Sequence, residues 1–281
     1  MSSKRLYIQE VATRDGFQNE ARFVDTDAKI ELIDRLSACG YAKIEVTSFT
    51  SPKAIPALRD AEAVMQRIAR REGIVYTVLV PNLRGAERAL SSGVDEVNLV
   101  MSVSESHNRA NLRMSREQSF AQLRDVIGVV RQTKVAINVS LSTAMGCPME
   151  GDIDQAEVLD WMQRFADLGV HGVTLCDTTG MAYPSQVGAL CAAARGRFAA
   201  LELTLHFITR AAWRSPTRSP RWMPASTAST RRSADSADVL TRPVQRATSA
   251  PKNWCTCLNS TATTPAWTSP PCCPPPPCFL D

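Results

Sequence analysis

Four positions in this sequence have the residue types to handle a charged oxygen, and each follows a strand-like run. The first is Asp15, in Ala12-Thr13-Arg14-Asp15-Gly16-Phe17-Gln18-Asn19-Glu20, directly after the apolar run Leu6 to Ala12. A carboxylate at a strand's C-terminal end can hold a metal, and the adjacent Arg14 guanidinium can hold an oxyanion. Glu45 lies in Ile44-Glu45-Val46-Thr47-Ser48-Phe49, Asp177 in Leu175-Cys176-Asp177-Thr178-Thr179-Gly180, and His206 in Leu203-Thr204-Leu205-His206-Phe207. Each has a plain structural reading as well. The first run reads as a turn built on Asp and Gly, Glu45 as an internal ion-pair partner, Asp177 as a cap, and His206 as a satisfied histidine. Four together, all at strand ends, point to a site.

The elements that must position them alternate from residue 1 to 207. Strands are expected at Leu6–Ala12, Lys43–Phe49, Val75–Pro81, Glu96–Val103, Val135–Leu141, Gly172–Thr178 and Leu201–Phe207. Amphipathic stretches separate them. The first, Ala28 to Cys39, has Ile30, Ile33 and Leu36 on one face, Thr26 as the expected N-cap and Gly40 as a stop. An internal repeat recurs: Gly40 to Val46, Gly93 to Leu99 and Gly169 to Leu175 each run from a helix-ending Gly through three residues to apolar–polar–apolar. The polar member (Glu45, Asn98, Thr174) faces opposite to its neighbours. In a sheet covered by helices, that inward polar residue is costly unless it lines a barrel mouth or a site. The pattern predicts an α/β fold, a (β/α)8 TIM barrel that is incomplete in this chain, with about seven βα units and a disordered C-terminal tail.

The tail is set apart by composition. Residues 208–281 hold 12 of the 17 prolines, none of the 13 glycines and no Glu, and end in Pro270-Pro271-Cys272-Cys273-Pro274-Pro275-Pro276-Pro277-Cys278. Such a segment is expected to supply neither a strand nor its covering helix. The expected division is a barrel domain over 1–207 and a low-complexity tail over 208–281. The net charge of +4 is concentrated in that tail, which has eight Arg and one Lys against three Asp, so the body is mildly acidic. An acidic body gives no reason to expect nucleic acid. No apolar run approaches the roughly 20 residues of a membrane span. No signal-peptide core follows Met1 to Arg5, and the scattered body cysteines suit a reducing compartment. The expectation is a cytoplasmic protein with no membrane partner.

The runs Arg14 to Glu20, Thr47-Ser48-Phe49-Thr50-Ser51-Pro52-Lys53, Val80-Pro81-Asn82 and Gly146-Cys147-Pro148-Met149-Glu150-Gly151 together resemble the hydroxymethylglutaryl-CoA lyase family, over about residues 6–207. Ser104 to Asn108 is similar to the wider metal-dependent superfamily that includes isopropylmalate and homocitrate synthases. The resemblance implies cleavage of a 3-hydroxy-3-methylglutaryl thioester to acetyl-CoA and acetoacetate with a divalent cation, Mg2+ or Mn2+. It implies Asp15 and His206 as metal ligands and Arg14 as the catalytic group that stabilises the enolate. Gln18, Glu45 and Asp177 would line the site, orienting substrate or the metal's surroundings. The partner it implies is an acyl-CoA substrate, and self-association stays open. A related lyase or aldolase for another branched 3-hydroxyacyl-CoA is the nearest alternative. A non-catalytic chain whose basic tail binds a partner is a more distant one.

The chain departs from the family after Phe207. A second metal-binding His is expected two residues after the first, where Ile208 stands, and a Gly-Leu-Gly-Gly-Cys-Pro loop with a catalytic Cys and a following Asn is missing. Codons permitted for Phe207 to Trp213, read from their third bases, give His-Asn-Thr-Arg-Gly-Met. The same shift over Asp235–Thr248 permits Leu-Gly-Gly-Cys-Pro-Tyr-Ala-Pro-Gly-Ala-Thr-Gly-Asn. The expectation is that one nucleotide is lost just after the Phe207 codon and that the tail is read out of frame.

Overall fold

Period-two alternation decides the architecture. In each strand, apolar residues turned to one side pack on helices while the intervening residues meet inside a ring. The computed structural model describes residues 7–208 and 228–232. All seven expected strands form, each within two residues or so of its expected ends: β1 Tyr7–Glu10, β2 Lys43–Ser48, β3 Val75–Leu79, β4 Glu96–Ser102, β5 Ala136–Ser142, β6 Gly172–Asp177 and β7 Glu202–Ile208. They are parallel neighbours in sequence order, which is the TIM-barrel arrangement.

One expectation is corrected. The tail does supply a strand: β8, Ala228–Arg232, pairs parallel with β7 and with β1 and closes the ring. Its five residues contain neither Pro nor Gly, and ladder pairing needs only backbone groups, which the open edges of β7 and β1 present. Among the described residues it is the outer layer that is incomplete. Helices α1 Thr26–Ser37, α2 Ala61–Arg67, α3 Leu83–Ser91, α4 Glu105–Leu112, α5 Arg116–Val130, α6 Gln155–Asp167 and α7 Pro184–Arg197 follow β1 to β6. Among the described residues no helix follows β7 or β8, and Tyr7 and Ile8 on β1 remain 43% and 44% exposed. The disorder expected of the rest of the tail, 209–227 and 233–281, lies outside the described residues.

Local signals act much as expected. Helix α1 is capped by Asp25, whose side chain accepts from Asp27 N; the expected cap, Thr26, donates to Asp60 Oδ2 at 2.8 Å instead. Asp25 wins because it stands one residue outside the first helical turn and its carboxylate reaches the free N–H groups there. Gly40 ends the helix with φ +80°, a conformation that favours glycine. Helix α5 starts with a full capping box, Ser115 with Gln118. Val158, Trp161, Met162 and Phe165 of α6 recur at helical spacing and are buried against the barrel.

Gly85 on α3 is a close-approach position. A Cβ there would lie 2.8 Å from the Phe49 carbonyl oxygen and 3.1 Å from Pro81 Cδ. Backbone cannot give way as a flexible side chain can. Gly85→Ala is expected to lower unfolding free energy by about 1–2 kcal/mol, overpacking exceeding the roughly 1 kcal/mol of helix propensity gained. Urea denaturation checks this, and a more stable variant would contradict it.

The helix-facing residues form the apolar core: Ile44 and Val46, Val97 and Leu99, Ile137, Val139 and Leu141, Val173 and Leu175, all buried. The lumen is polar. At its N-terminal end the Lys43 ammonium contacts both oxygens of Glu96 at 2.9 and 2.6 Å and Glu202 at 3.2 Å. Burial pushes the Lys43 pKa down, and the charges of Glu96 and Glu202 more than reverse this, raising it overall. Above that layer lie Glu45, Asn98, Asn138, Ser140 and Thr174, joined by hydrogen bonds. The inward polar residues of the repeat face the lumen as their spacing predicts.

Candidate active site

The C-terminal end of the ring carries the expected residues. After β1 the chain makes one turn of π-helix, Ala12–Gly16, in which Phe17 N donates to Ala12 O five residues back. Such turns recur at functional sites because they re-aim a side chain. Two contacts fix this one: Glu10 Oε1 accepts from Val11 N and Ala12 N, and Thr13 Oγ1 donates to the Glu45 carbonyl at 2.8 Å. On β2, pairing with β3 shifts register between Glu45 and Thr47, a bulge beside the site.

These devices bring Arg14, Asp15 and Glu45 together. Arg14 Nη1 donates to Asp15 Oδ1 at 2.9 Å, and Nη2 donates to Glu45 Oε2 at 2.8 Å. The Glu45 side chain is 1% exposed and that of Arg14 14%. Burial pushes the Arg14 pKa down, but the carboxylates of Glu45 and Asp15 outweigh it, so the guanidinium is held more firmly charged than usual. Arg14 Nε is buried with no hydrogen-bond partner among the described residues. A charged, fixed guanidinium with an N–H unused by the described residues can receive an oxygen that gains negative charge.

The other expected residues share this end of the barrel. Asp177 closes β6, is 5% exposed, and its Oδ1 accepts from Met181 N at 2.8 Å. His206 stands on β7 at the register of Cys176, half-buried. Gln18 is half-buried, one turn beyond Arg14. Cys176, one of the scattered body cysteines, lies within the electrostatic reach of Arg14, Asp15 and Glu45. Burial above all pushes its thiol up to about 12, so it stays protonated. Its inward parity with Thr174, two residues earlier, was the signal for this placement.

Among the described residues no three His, Cys, Asp or Glu side chains group as metal ligands do. One Asp15 oxygen is engaged by Arg14, and both Glu45 oxygens are bound, by Arg14 and Asn98. The described residues do not fit a complete cation site.

A second buried polar cluster lies beside the mouth. His107 on α4 is fully buried, with Nδ1 2.6 Å from Ser102 Oγ and Nε2 without a partner among the described residues. Burial lowers its pKa below the ordinary 6.5, against the smaller opposing effect of Glu150. A lowered folded-state pKa gives stability that is present above 6.5 and lost as pH falls through the folded value. The melting temperature is expected to fall more between about pH 7.5 and 5.5 in the wild type than in His107→Asn, which keeps a partner for Ser102 but does not titrate. Parallel curves would refute the assignment.

Residues 5–207 match the HMGL-like family. The chain belongs to the HMGL-like family. Hydroxymethylglutaryl-CoA lyase of Bacillus subtilis is 41% identical to it over 204 residues, which are 73% of this chain and 68% of that protein. The human mitochondrial hydroxymethylglutaryl-CoA lyase is 39% identical over 181 residues, 64% of this chain and 56% of its own length. The solved HMG-CoA lyase of Acinetobacter baumannii, in complex with coenzyme A and 3-methylmalate, is 44% identical with a TM-score of 0.68, over 74% of this chain and 68% of that one. The chain thus spans little more than half of the mitochondrial relative. The HMGL-like match ends at residue 207, where the composition changes.

Proposed function

We propose that this chain is a carbon–carbon lyase of the hydroxymethylglutaryl-CoA type, acting by retro-Claisen cleavage to acetyl-CoA and acetoacetate. One observation carries the reading: a half-buried guanidinium at the barrel mouth, held charged by two carboxylates and with a buried Nε unpartnered among the described residues. Cleavage breaks the bond between the thioester's α-carbon and the hydroxyl-bearing carbon. The electron pair passes into a thioester enolate, the hydroxyl gives up its proton as the ketone forms, and the enolate carbon takes up a proton to give acetyl-CoA, so that no proton is gained or lost overall. Arg14 supplies the enolate half, because its position is fixed before charge develops on the thioester oxygen. Asp15 and Glu45 keep it there. Gln18 and Asp177 are assigned to orienting substrate.

The hydroxyl half is what the described residues lack. The family is metal-dependent, and its pattern assigns a divalent cation, Mg2+ or Mn2+, to Asp15 and His206, but no third ligand joins them among the described residues. The end of the family match at residue 207 supports the loss of one nucleotide after the Phe207 codon, with 1–207 as the barrel domain and 208–281 as out-of-frame translation. On this reading the literal chain is impaired. An acyl-CoA substrate, self-association and a cytoplasmic setting accompany the proposal; no helix among the described residues is long and apolar enough to cross a membrane. The test is thioester cleavage by this chain and by its nucleotide-restored counterpart, against hydroxymethylglutaryl-CoA and a panel of other branched 3-hydroxyacyl thioesters. Preference for another member of the panel would replace the substrate, and no cleavage by either chain would remove the lyase reading.

A further inference from the structure

We infer that Asn98 is the positioning residue for Arg14, acting through the Glu45 carboxylate. Asn98 stands on β4, 5% exposed, in the lumen. Its Oδ1 accepts from two donors on β5, Asn138 Nδ2 at 2.9 Å and Ser140 Oγ at 2.8 Å. Those donors fix which end of the amide is which and turn Asn98 Nδ2 to Glu45 Oε1, 2.9 Å away. Asn138 is itself tied to β6, donating to Thr174 Oγ1 at 2.9 Å. Glu45 is therefore gripped at both oxygens, by Asn98 on one and Arg14 on the other.

The second grip matters for a torsional reason. The last torsion of a glutamate side chain is broad, so a carboxylate bound at one oxygen can swing. Bound at two, it presents a fixed Oε2 to Arg14. The seam runs through β2, β4, β5 and β6, elements of one rigid sheet, and this is how a catalytic group is held closely in place. The positional claim stands on geometry alone; its catalytic consequence rests on the lyase reading above.

The test reads the Arg14 side chain directly. Full-length protein labelled with 15N-arginine is compared with Asn98→Leu, Asn98→Ser and Thr204→Val, the Arg14 signals being assigned by their loss in Arg14→Lys. Thr204 is a control: it is buried in β7, its hydroxyl has no partner among the described residues, and Val has its shape. Wild type and Thr204→Val are expected to show separate, slowly exchanging Nη–H signals for Arg14. Both Asn98 variants are expected to rotate that guanidinium at least about tenfold faster, as loss of a hydrogen bond to a charged group predicts. Asn98→Ser, smaller and with room for water, carries the test if Asn98→Leu does not fold. Unchanged rotation in a folded Asn98 variant, or the same acceleration in Thr204→Val, would overturn the inference. In the thioester assay the Asn98 variants should lose kcat with KM held. A wild type that shows the Arg14 signals but no cleavage bears on the lyase reading and leaves the positional result intact.

Discussion

Restoring one nucleotide after the Phe207 codon is expected to raise cleavage of hydroxymethylglutaryl-CoA at least about 10³-fold over the literal chain, the scale of losing a main stabiliser of charge in a transition state. The described residues assemble the Arg14 cluster, to which the proposed reading gives the enolate half of the chemistry, and no group of three metal-type ligands. The shifted codons permit the other parts in order: a His and Asn directly after Phe207, then the Leu-Gly-Gly-Cys-Pro loop, then an Asn. The same change should raise the melting temperature. Tyr7 and Ile8 lie open on β1 beside the last strand, and β7 and β8 have no covering helix among the described residues. Burying that face adds about 25 cal/mol for each Å² of apolar surface removed from water. Turnover and melting of the two chains, measured together, check both statements. Equal turnover would sink the prediction, as would DNA whose codons in the shifted frame spell neither motif.

Much of this fold was legible because its signals are local. A helix-ending Gly, a fixed offset and an apolar–polar–apolar strand repeat three times, and each copy folds as its spacing predicts. Thr26 was the wrong cap for a local reason too, since Asp25 and Thr26 are both good caps and only the entry of the chain chooses between them. Strand β8 was not legible. Ala228–Arg232 has no strand pattern of its own, and its pairing is dictated by the edges of β7 and β1, which are far away in sequence. The site divides the same way. Strand ends marked Asp15, Glu45, Asp177 and His206 as members of one barrel mouth. The plain reading of Glu45 as an internal ion-pair partner holds, with Arg14 as the partner. That Asn98 fixes Glu45 and that Cys176 reaches the Arg14 cluster depend on the stagger of neighbouring strands, which no single segment encodes.

Arg14→Met is the point change expected to do most damage, and its two effects should separate. Removing the guanidinium leaves Glu45, 1% exposed, as a buried carboxylate with Asn98 as its remaining side-chain partner among the described residues. Breaking a buried pair in this way costs about 3–5 kcal/mol, because the surviving charge keeps its desolvation penalty and loses its counter-charge. Glu45→Gln in the same chain removes that charge while keeping an acceptor for Asn98 and nearly the same volume. The double variant is therefore expected to recover at least about half of the lost stability. Activity should not follow. In the nucleotide-restored chain both variants are expected to remain about 10²–10³-fold down in kcat, since neither has a donor where the enolate charge develops. Urea unfolding of the wild type, both single variants and the double variant gives the coupling energy, and thioester turnover gives the catalytic loss. Recovery of turnover alongside stability would show that Arg14 holds the barrel together and takes no part in the chemistry. Failure to recover stability would mean that Glu45 is not the charge left stranded.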